Sequence, residues 1–433
     1  MNVWCQVQIS ELSIRNFKCF SEQKYLFSPN FNLLVGENGS GKSSLLDAIA
    51  VAAGSWFLGI SGCDTRHILS REVRLEQLGQ GRGVTFEKQF PSEIFAKGFI
   101  EGNGIAWSRS LNGEGGRTTS INASKIKSAG VSAEERVRSG GDVVLPLLSY
   151  YGTGRLWQEP RKTKEKKSER RSRLIGYKGG MDARVSSREL ISWLKKEDWI
   201  AFQDKSEGTP ISQVVKASII SCIEGGKDVF YDAGRDEVVV EIDGQGSQSF
   251  ENLSDGQRNI IAMVGDIAIK AATLNPQLGE RVLQDTPGII LIDELDLHLH
   301  PIWQRKVIED LRKNFPKVQF FATTHSPFLI QTLRQGELLY LGEESNSTYV
   351  GRGVEDVARH IMGVDMPEVS PRYQEMIDAA RRYFRLLESA RDSEDQTLLE
   401  AKNQLDELTI LYSDNPAYVA LLDLKGAEAG IER

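Results

Sequence analysis

The chain has 433 residues, of which 40% are hydrophobic and 26% are charged, and its formal net charge at pH 7 is −7. This composition is typical of a folded globular protein with enough apolar residues for one large core or two smaller ones. The negative net charge argues against a protein that binds nucleic acid over its whole surface, so any such contact would be local.

Four cysteines are spread along the chain without a CxxC pair. This spacing predicts neither a disulfide framework nor a zinc ribbon, and it favours a reducing, cytoplasmic setting. The N-terminal residues lack the basic start and apolar core of a signal peptide. No window approaches 18 uninterrupted apolar residues, so we expect no direct insertion into a membrane.

The N-terminal third predicts strands on both sides of one helix. Alternating apolar and polar residues between positions 6 and 35 predict strands that lead into a glycine-rich turn. One face of the helix after that turn contains Leu45, Leu46, Ile49 and Ala50. Residues 94–120 predict a hairpin, and residues 132–139 predict a short helix. We interpret 1–54 as the start of the core and 55–145 as an inserted β-rich lobe.

A basic segment occupies the middle of the chain. Residues 155–188 contain twelve Lys and Arg residues against four Asp and Glu residues. A helical pattern resumes at Ser187, and residues 229–242 predict a hairpin with its turn at 233–236. We interpret residues 146–250 as a helical lobe that carries the basic segment.

The C-terminal part of the chain returns to strands and then becomes helical. Residues 288–294 and 318–325 contain apolar runs that predict buried strands, within a second core segment that spans 251–345. Residues 355–433 form an acidic tail with seventeen acidic and nine basic residues. Ser370-Pro371 is expected to begin a helix. Its apolar stripe contains Tyr373, Met376, Ile377, Ala380, Phe384 and Leu387. A second stripe contains Leu398, Ala401, Leu405 and Leu408, and a short helix is predicted near 418–422.

The stretch GENGSGKS satisfies the pattern G-x-x-x-x-G-K-[ST] between a predicted strand and a predicted helix. Backbone N–H groups in such a P-loop converge on phosphate oxygens. We expect Lys42 to reach the β and γ phosphates of ATP as a catalytic cation, and Ser43 to bind Mg²⁺. The residues expected to bind nucleotide here are Gly36, Glu37, Asn38, Gly39, Ser40, Gly41, Lys42, Ser43 and Ser44.

Two carboxylates follow the apolar run IILI, and a histidine follows the next predicted strand. Asp293 is expected to bind Mg²⁺ and Glu294 to orient or activate the attacking water. His325 is expected to contact the γ-phosphate. With the P-loop, these positions predict an α/β fold with a P-loop NTPase core, an inserted β and helical lobe, and a C-terminal helical tail.

The stretch NLSDGQRN resembles the signature motif of ABC-type ATPases, LSGGQ, except that Asp255 replaces a glycine. A plain helix cap at Ser254 is the simpler interpretation of such a stretch taken alone. The order of P-loop, signature, acidic pair and histidine also resembles that superfamily, which implies an ABC-type P-loop NTPase core with a mixed sheet flanked by helices. The resemblance implies that two copies enclose two ATP molecules, with Ser254, Gly256 and Gln257 of one copy facing Lys42 of the other.

Further stretches resemble the RecF, SMC and OLD group of ABC-type ATPases: IRNFKCF, GENGSGKSS and DELDLHLHP. By this resemblance Arg15 and Lys18 would lie near the nucleotide, and Asp296 takes the D-loop position. A metal site of Asp296, His298 and His300 is a weaker alternative to a structural turn. The Q-loop glutamine is not placed, and either Arg155 or Gln158 would serve there.

The stretches YYGTGRLW and GYKGGMDARVSSRELISWL resemble the ATPase subunits, PtuA-like, of Septu-type and retron-associated anti-phage defence systems. The resemblance implies a homodimer or higher even oligomer that controls a separate HNH-type nuclease, without nuclease activity of its own. The acidic tail is either the dock for that partner or a cap on the core.

A stand-alone DNA-repair ATPase of the RecF or SMC sort is the alternative, with nucleic acid bound by the loop 161–173. The absence of long heptad arms weakens it. A transporter ATPase ranks last.

Overall fold

The computed structural model describes residues 3–79, 85–154, 172–183, 187–206, 208–342, 351–364, 367, 370–389 and 396–409. The chain forms two compact units, Met1–Val357 and Ala358–Arg433. Each unit is described by itself.

The strands in the described residues are, in chain order, β1 (Val3–Trp4), β2 (Val7–Phe17), β3 (Phe20–Leu26), β4 (Phe31–Val35), β5 (Leu75–Leu78), β6 (Thr85–Lys88), β7 (Ser92–Ile100), β8 (Asn103–Leu111), β9 (Val143–Val144), β10 (Leu147–Tyr151), β11 (Gly226–Asp232), β12 (Glu237–Ile242), β13 (Gly246–Ser249), β14 (Gly288–Ile292), β15 (Val318–Thr323) and β16 (Leu338–Tyr340).

The helices in the same residues are α1 (Lys42–Ala53), α2 (Ser124–Arg138), α3 (Ser187–Asp204), α4 (Pro210–Ser221), α5 (Asp255–Leu274), α6 (Val282–Asp285), α7 (Pro301–Gln304), α8 (Val307–Asn314), α9 (Pro327–Ile330), α10 (Val354–His360), α11 (Pro371–Ser389) and α12 (Gln396–Thr409).

A five-stranded parallel sheet forms the centre of the first unit, in the order β10-β14-β15-β4-β16. Its strands β4, β10, β14 and β15 are buried along their whole length. This burial explains why their sequences are runs of apolar residues without alternation.

A second, antiparallel sheet has the order β3-β2-β7-β8. Helix α1 contacts strands of both sheets, and its residues from Ala48 to Ala53 are all buried. The indole N–H of Trp107 on β8 donates to the carbonyl of Ala52, at 3.0 Å. The helix that follows the P-loop is therefore fixed between two sheets.

The segment 55–145 differs from the expected inserted lobe in one respect. Its strands β7 and β8 share a sheet with the N-terminal strands, because β7 pairs with β2 from Val7↔Ile100 to Arg15↔Glu93. Both strands alternate buried and more exposed residues, so their apolar faces match. The predicted hairpin is confirmed, and the helix near 132–139 is longer than expected. The five domain boundaries stay a prediction.

The helical lobe contains α3, α4 and the small sheet β11-β12-β13. The hairpin turn predicted at 233–236 is confirmed, since β11 ends at Asp232 and β12 begins at Glu237. Helix α5 packs against α3, α4 and β10. Tyr151 on β10 donates a hydrogen bond to Asp266 of α5, at 2.8 Å. Burial and the neighbouring Asp266 carboxylate raise the pKa of Tyr151, so this phenol stays protonated.

The second unit contains a pair of helices, α11 and α12, with their own apolar cluster. The buried members are Met376, Ala379, Ala380, Tyr383, Leu398, Ala401 and Leu405. Tyr373, Ile377, Phe384 and Leu408 pack against them. The apolar stripes expected for the tail are confirmed at these positions. The side chain of Leu387 and the helix expected near 418–422 lie outside the described residues.

Two observations concern the expected setting of the protein. None of the four cysteines forms a disulfide. Among the helices of the described residues, none combines the length and the hydropathy needed to cross a membrane.

Candidate functional site

The carboxyl ends of the central strands meet at one edge because the parallel strands are in register. Ile292 of β14 pairs with Tyr151 of β10 and with Ala322 of β15. Thr323 pairs with Leu34 of β4. The segments that follow β4, β14 and β15 therefore leave the sheet at the same edge, which is where open α/β sheets bind their ligands.

The P-loop connects β4 to α1. Gly39 and Gly41 have φ angles of 85° and 99°, which favour glycine. The Lys42 side chain is buried, and its Nζ donates to the carbonyl oxygens of Gly36 and Glu37, at 2.7 and 2.9 Å. These internal bonds can be exchanged for phosphate oxygens, so the loop fits a polyphosphate.

Burial lowers the pKa of Lys42, and the nearby carboxylates of Asp293, Glu294 and Asp296 oppose that shift. A bound anion would act in the same direction as the carboxylates and favour the ammonium form. The loop thus offers a desolvated cation whose charge is better stabilised when phosphate is present.

Oxygen ligands suited to Mg²⁺ meet between α1 and β14. The Ser43 hydroxyl donates to Oδ1 of Asp293, at 3.1 Å. A hydroxyl and a carboxylate at this separation are the oxygen ligands that Mg²⁺ uses with nucleotide phosphates and water. The structure therefore brings the two predicted metal ligands together.

Thr323, at the end of β15, holds both members of the acidic pair. Its hydroxyl donates to Oδ1 of Asp293, at 2.6 Å, and accepts from the backbone N–H of Glu294, at 2.7 Å. Thr323 is buried, whereas Glu294 is partly exposed and has a φ angle of 50°. The buried Thr323 hydroxyl thus fixes the backbone position of Glu294 at the edge of the sheet.

Thr324 holds the segment that follows the acidic pair, residues 295–300, which is called the D-loop below. Its hydroxyl donates to Oδ1 of Asp296, at 2.6 Å, and the backbone N–H of His325 donates to the same oxygen, at 3.4 Å. The His325 side chain itself is exposed. The acidic pair, Asp296 and His325 therefore lie together, as expected from the sequence.

The signature stretch begins α5. Ser254 caps the helix: its hydroxyl accepts from the N–H of Gln257, at 3.3 Å, and the Gln257 side chain accepts from the N–H of Ser254, at 3.0 Å. A Cβ atom on Gly256 would lie 2.4 Å from the carbonyl oxygen of His298. Asn259 donates to the carbonyl of Leu297, at 3.0 Å. The first turn of α5 thus packs tightly on the D-loop, and Ser254 faces solvent.

The turn between β2 and β3 lies against the P-loop. A Cβ atom on Gly41 would lie 2.7 Å from Sγ of Cys19 and 2.8 Å from the ring of Phe20. Lys18 forms an ion pair with Asp47 on α1 and lies 4.0 Å from Glu72. The structure therefore places Lys18 beside the P-loop helix.

Arg15 lies within β2, whereas Lys18 directly follows the end of that strand. It is exposed and sits opposite Glu22 and Glu93 in the strand register. Its contact with nucleotide stays a prediction.

The metal alternative at Asp296, His298 and His300 is wrong. Among the described residues, no group of three or more His, Cys, Asp or Glu side chains is arranged to hold a metal ion. Asp296 instead accepts from Thr324, and His300 accepts from the N–H of Ile302 at the start of α7, at 3.4 Å.

Two predicted positions and one segment cannot be placed. Arg155 and Gln158, the Q-loop candidates, lie outside the described residues, as does the loop 161–173 up to residue 171. Conversely, Thr323 and Thr324 position the carboxylates, and no sequence motif used above includes them. The sequence feature that could have identified them is the pair of threonines at the end of the buried strand, directly before His325.

Two family models cover most of the first unit. A model described as an AAA domain matches residues 11–199. A second AAA-domain model, whose description also names an AbiEii toxin of a type IV toxin–antitoxin system, matches residues 145–331.

Curated relatives are named as retron ATPases or as Septu proteins. "Retron Vc95 probable ATPase" of Vibrio cholerae is 25% identical over 395 residues, which are 78% of this chain and 74% of the relative. "Septu protein PtuA" of Bacillus mycoides is 27% identical over 426 residues, which are 93% of this chain. The chain spans 50% of that second relative's length.

Among solved structures, the SMC head domain from Thermotoga maritima matches 77% of this chain and 94% of its own length, with 16% identity and a TM-score of 0.40. The P-loop, the parallel sheet and the named relatives agree on one class of protein. The chain is a P-loop ATPase that is similar to the ATPases named for retron and Septu systems and, over shorter segments, to proteins named Rad50 and RecF.

Proposed function

We propose that this chain is an ATP-binding and ATP-hydrolysing subunit that dimerises around nucleotide and regulates a separate nuclease in an anti-phage defence complex. The observation that carries the ATP-dependent part is the meeting of the P-loop, Asp293, Glu294 and His325 at one sheet edge. The coupling to a nuclease is inferred from the sequence resemblance to the ATPase subunits of Septu-type and retron-associated systems, and the names of the relatives support the association with those systems.

In this proposal Lys42 binds the β and γ phosphates, while Ser43 and Asp293 hold Mg²⁺. The ion supplies charge neutralisation on the phosphates when it is bound. Glu294 leaves the sheet edge beside these groups and accepts a proton from the attacking water, or orients that water. His325, exposed on the next strand end, contacts the γ-phosphate.

The exposure of Ser254 and the contacts of the signature turn support the proposed dimerisation. Ser254 faces solvent at the beginning of α5, where helix N–H groups attract anions. Gly256 and Asn259 fasten this turn to the D-loop, which Thr324 and Asp296 connect to the sheet edge. When the ATP of one copy binds the signature turn of a second copy, its γ-phosphate would therefore contact a turn that is joined to the second copy's own sheet edge, where Asp293 and Glu294 lie.

The nuclease is proposed to be a separate chain of the HNH type, docked on the acidic tail, residues 355–433. The loop 161–173 is a second candidate surface, with nucleic acid as its ligand, because its sequence is strongly basic. Both surfaces are proposed from the charge of their sequences.

Tagged purification from the native cells, with mass spectrometry of every co-purifying protein, tests the partner. A small nuclease recovered in stoichiometric amount is the expected result. A tail-deleted chain, cut after residue 357 where the first compact unit ends, is expected to lose that nuclease while it keeps ATP binding.

Retention of DNA without any protein partner would contradict the nuclease model and favour the stand-alone repair ATPase. Cleavage of DNA by the purified chain alone, with ATP and magnesium, would also contradict it, because the proposal gives this chain no nuclease activity.

A further inference from the structure

Asp255 is unusual for a turn that is proposed to receive a phosphate. It occupies the first position of α5, between Ser254 and Gly256. The N–H groups of a helix's first turn have no partners within the helix and attract anions. A carboxylate in the same turn repels a phosphate and cancels that attraction.

Arg258, one turn along the helix, neutralises this carboxylate. Its guanidinium forms an ion pair with Asp255 and lies 3.7 Å from the carboxylate of Glu251. The Arg258 side chain is 25% exposed, compared with 41% for Asp255 and 66% for Glu251. The Arg258 guanidinium therefore lies close to two carboxylates, and the Arg258 side chain is less exposed than that of Asp255 or Glu251.

We propose that Arg258 is a positioning residue for the composite ATP site: it neutralises Asp255 so that the signature turn can accept the γ-phosphate held by a second copy. This inference rests on the proposed dimerisation around nucleotide. It predicts that Asp255 is harmful to dimerisation only when Arg258 is absent.

A simpler role would give different results. Asp255 at a helix N-terminus stabilises the helix through its dipole, and the ion pair with Arg258 adds to that stability. If that were its whole role, removing either charge would lower the melting temperature, and the effects on dimerisation would follow stability alone.

The test is a double-mutant cycle in the Glu294→Gln background, where ATP is bound and turnover is slow. The variants are Arg258→Gln, Asp255→Asn and both together, with Arg258→Lys as the charge-conserving control. The readouts are the dimer dissociation constant at saturating ATP, by analytical ultracentrifugation, and the affinity of the monomer for a fluorescent ATP analogue.

We expect Arg258→Gln to raise the dimer dissociation constant roughly tenfold or more, the size typical of coupled charges in contact. Arg258→Lys and Asp255→Asn should stay near the background value, and the double variant should recover to within about threefold of it. Monomer affinity for ATP should be unchanged throughout, because the P-loop is intact.

Equal weakening by Arg258→Gln with and without the Asp255 charge would overturn the inference, as would no weakening at all. A weaker dimer in Asp255→Asn would also contradict the proposed repulsion. If Arg258→Gln does not fold, Arg258→Met, which keeps the aliphatic stem without the charge, takes its place in the cycle. Failure of the Glu294→Gln protein itself to dimerise with ATP would instead overturn the proposed function, and the inference with it.

Discussion

Replacement of Thr323 by valine removes one buried hydroxyl and keeps the shape of the side chain. In the structure this hydroxyl donates to Asp293, at 2.6 Å, and accepts from the N–H of Glu294, at 2.7 Å. Thr323→Val therefore leaves a backbone N–H without its acceptor beside the carboxylate expected to activate water. The loss of these two bonds should cost about 1–3 kcal/mol of unfolding free energy.

The effect on catalysis should exceed the effect on binding. The proposed phosphate contact of Lys42 comes from the P-loop, which Thr323 does not touch through either of these bonds. We expect the KM for ATP to change by less than about threefold, while kcat falls by about a hundredfold, because displacing a catalytic group by about 1 Å has an effect of this size.

Thermal or chemical unfolding and steady-state ATPase assays measure the two effects. Thr323→Ser keeps the hydroxyl and should recover most of kcat. Thr273→Val is a matched control, since the Thr273 hydroxyl donates only to the carbonyl of Ile269 within α5, at 2.7 Å. Normal kcat in Thr323→Val would refute the view that this hydroxyl positions the acidic pair.

Three further variants test separate parts of the site. Lys42→Ala should abolish ATP binding in a fluorescent-nucleotide titration, and unchanged affinity would exclude the P-loop assignment. Glu294→Gln should bind ATP normally yet hydrolyse it about 10²- to 10⁴-fold more slowly, so full turnover would remove Glu294 from this role. Gly256→Ala should lower the unfolding free energy by about 1–3 kcal/mol through overpacking against His298; equal denaturation midpoints for variant and parent would show that the contact is loose.

Contiguous motifs made much of the site predictable. The P-loop from Gly36 to Ser43 is a single covalent stretch, so its residues stay together in any fold that forms the strand and helix around it. Asp293 and His325 could be assigned to one edge because buried parallel strands place their carboxyl ends together. The tail helices were predictable because their apolar stripes repeat with the helical period.

Contacts between distant segments were not predictable in the same way. β7 pairs with β2 across about 85 intervening positions, and nothing local in either strand names its partner. Thr323 is read from the sequence as one more residue of a buried strand, and only the register beside β14 turns its hydroxyl toward Asp293. The short sequence around Asp255 likewise shows a departure from the motif but not the ion pair that offsets it.

Complementation between two inactive variants tests the proposal that each ATP site is built from two copies. Lys42→Ala removes the cation of the P-loop, and Ser254→Arg places a large side chain where the signature turn is proposed to receive phosphate. Each homodimer should therefore be inactive. In a mixed dimer, the P-loop of the Ser254→Arg copy would face the signature of the Lys42→Ala copy and form one intact site.

Equal mixing of the two purified variants should therefore restore about a quarter of the parent ATPase rate, because about half of the dimers are mixed and each has one working site of two. The recovered rate should rise with the square of protein concentration below the dimer dissociation constant. A mixture that stays inactive, while both variants fold and still dimerise with the parent chain, would contradict the composite site.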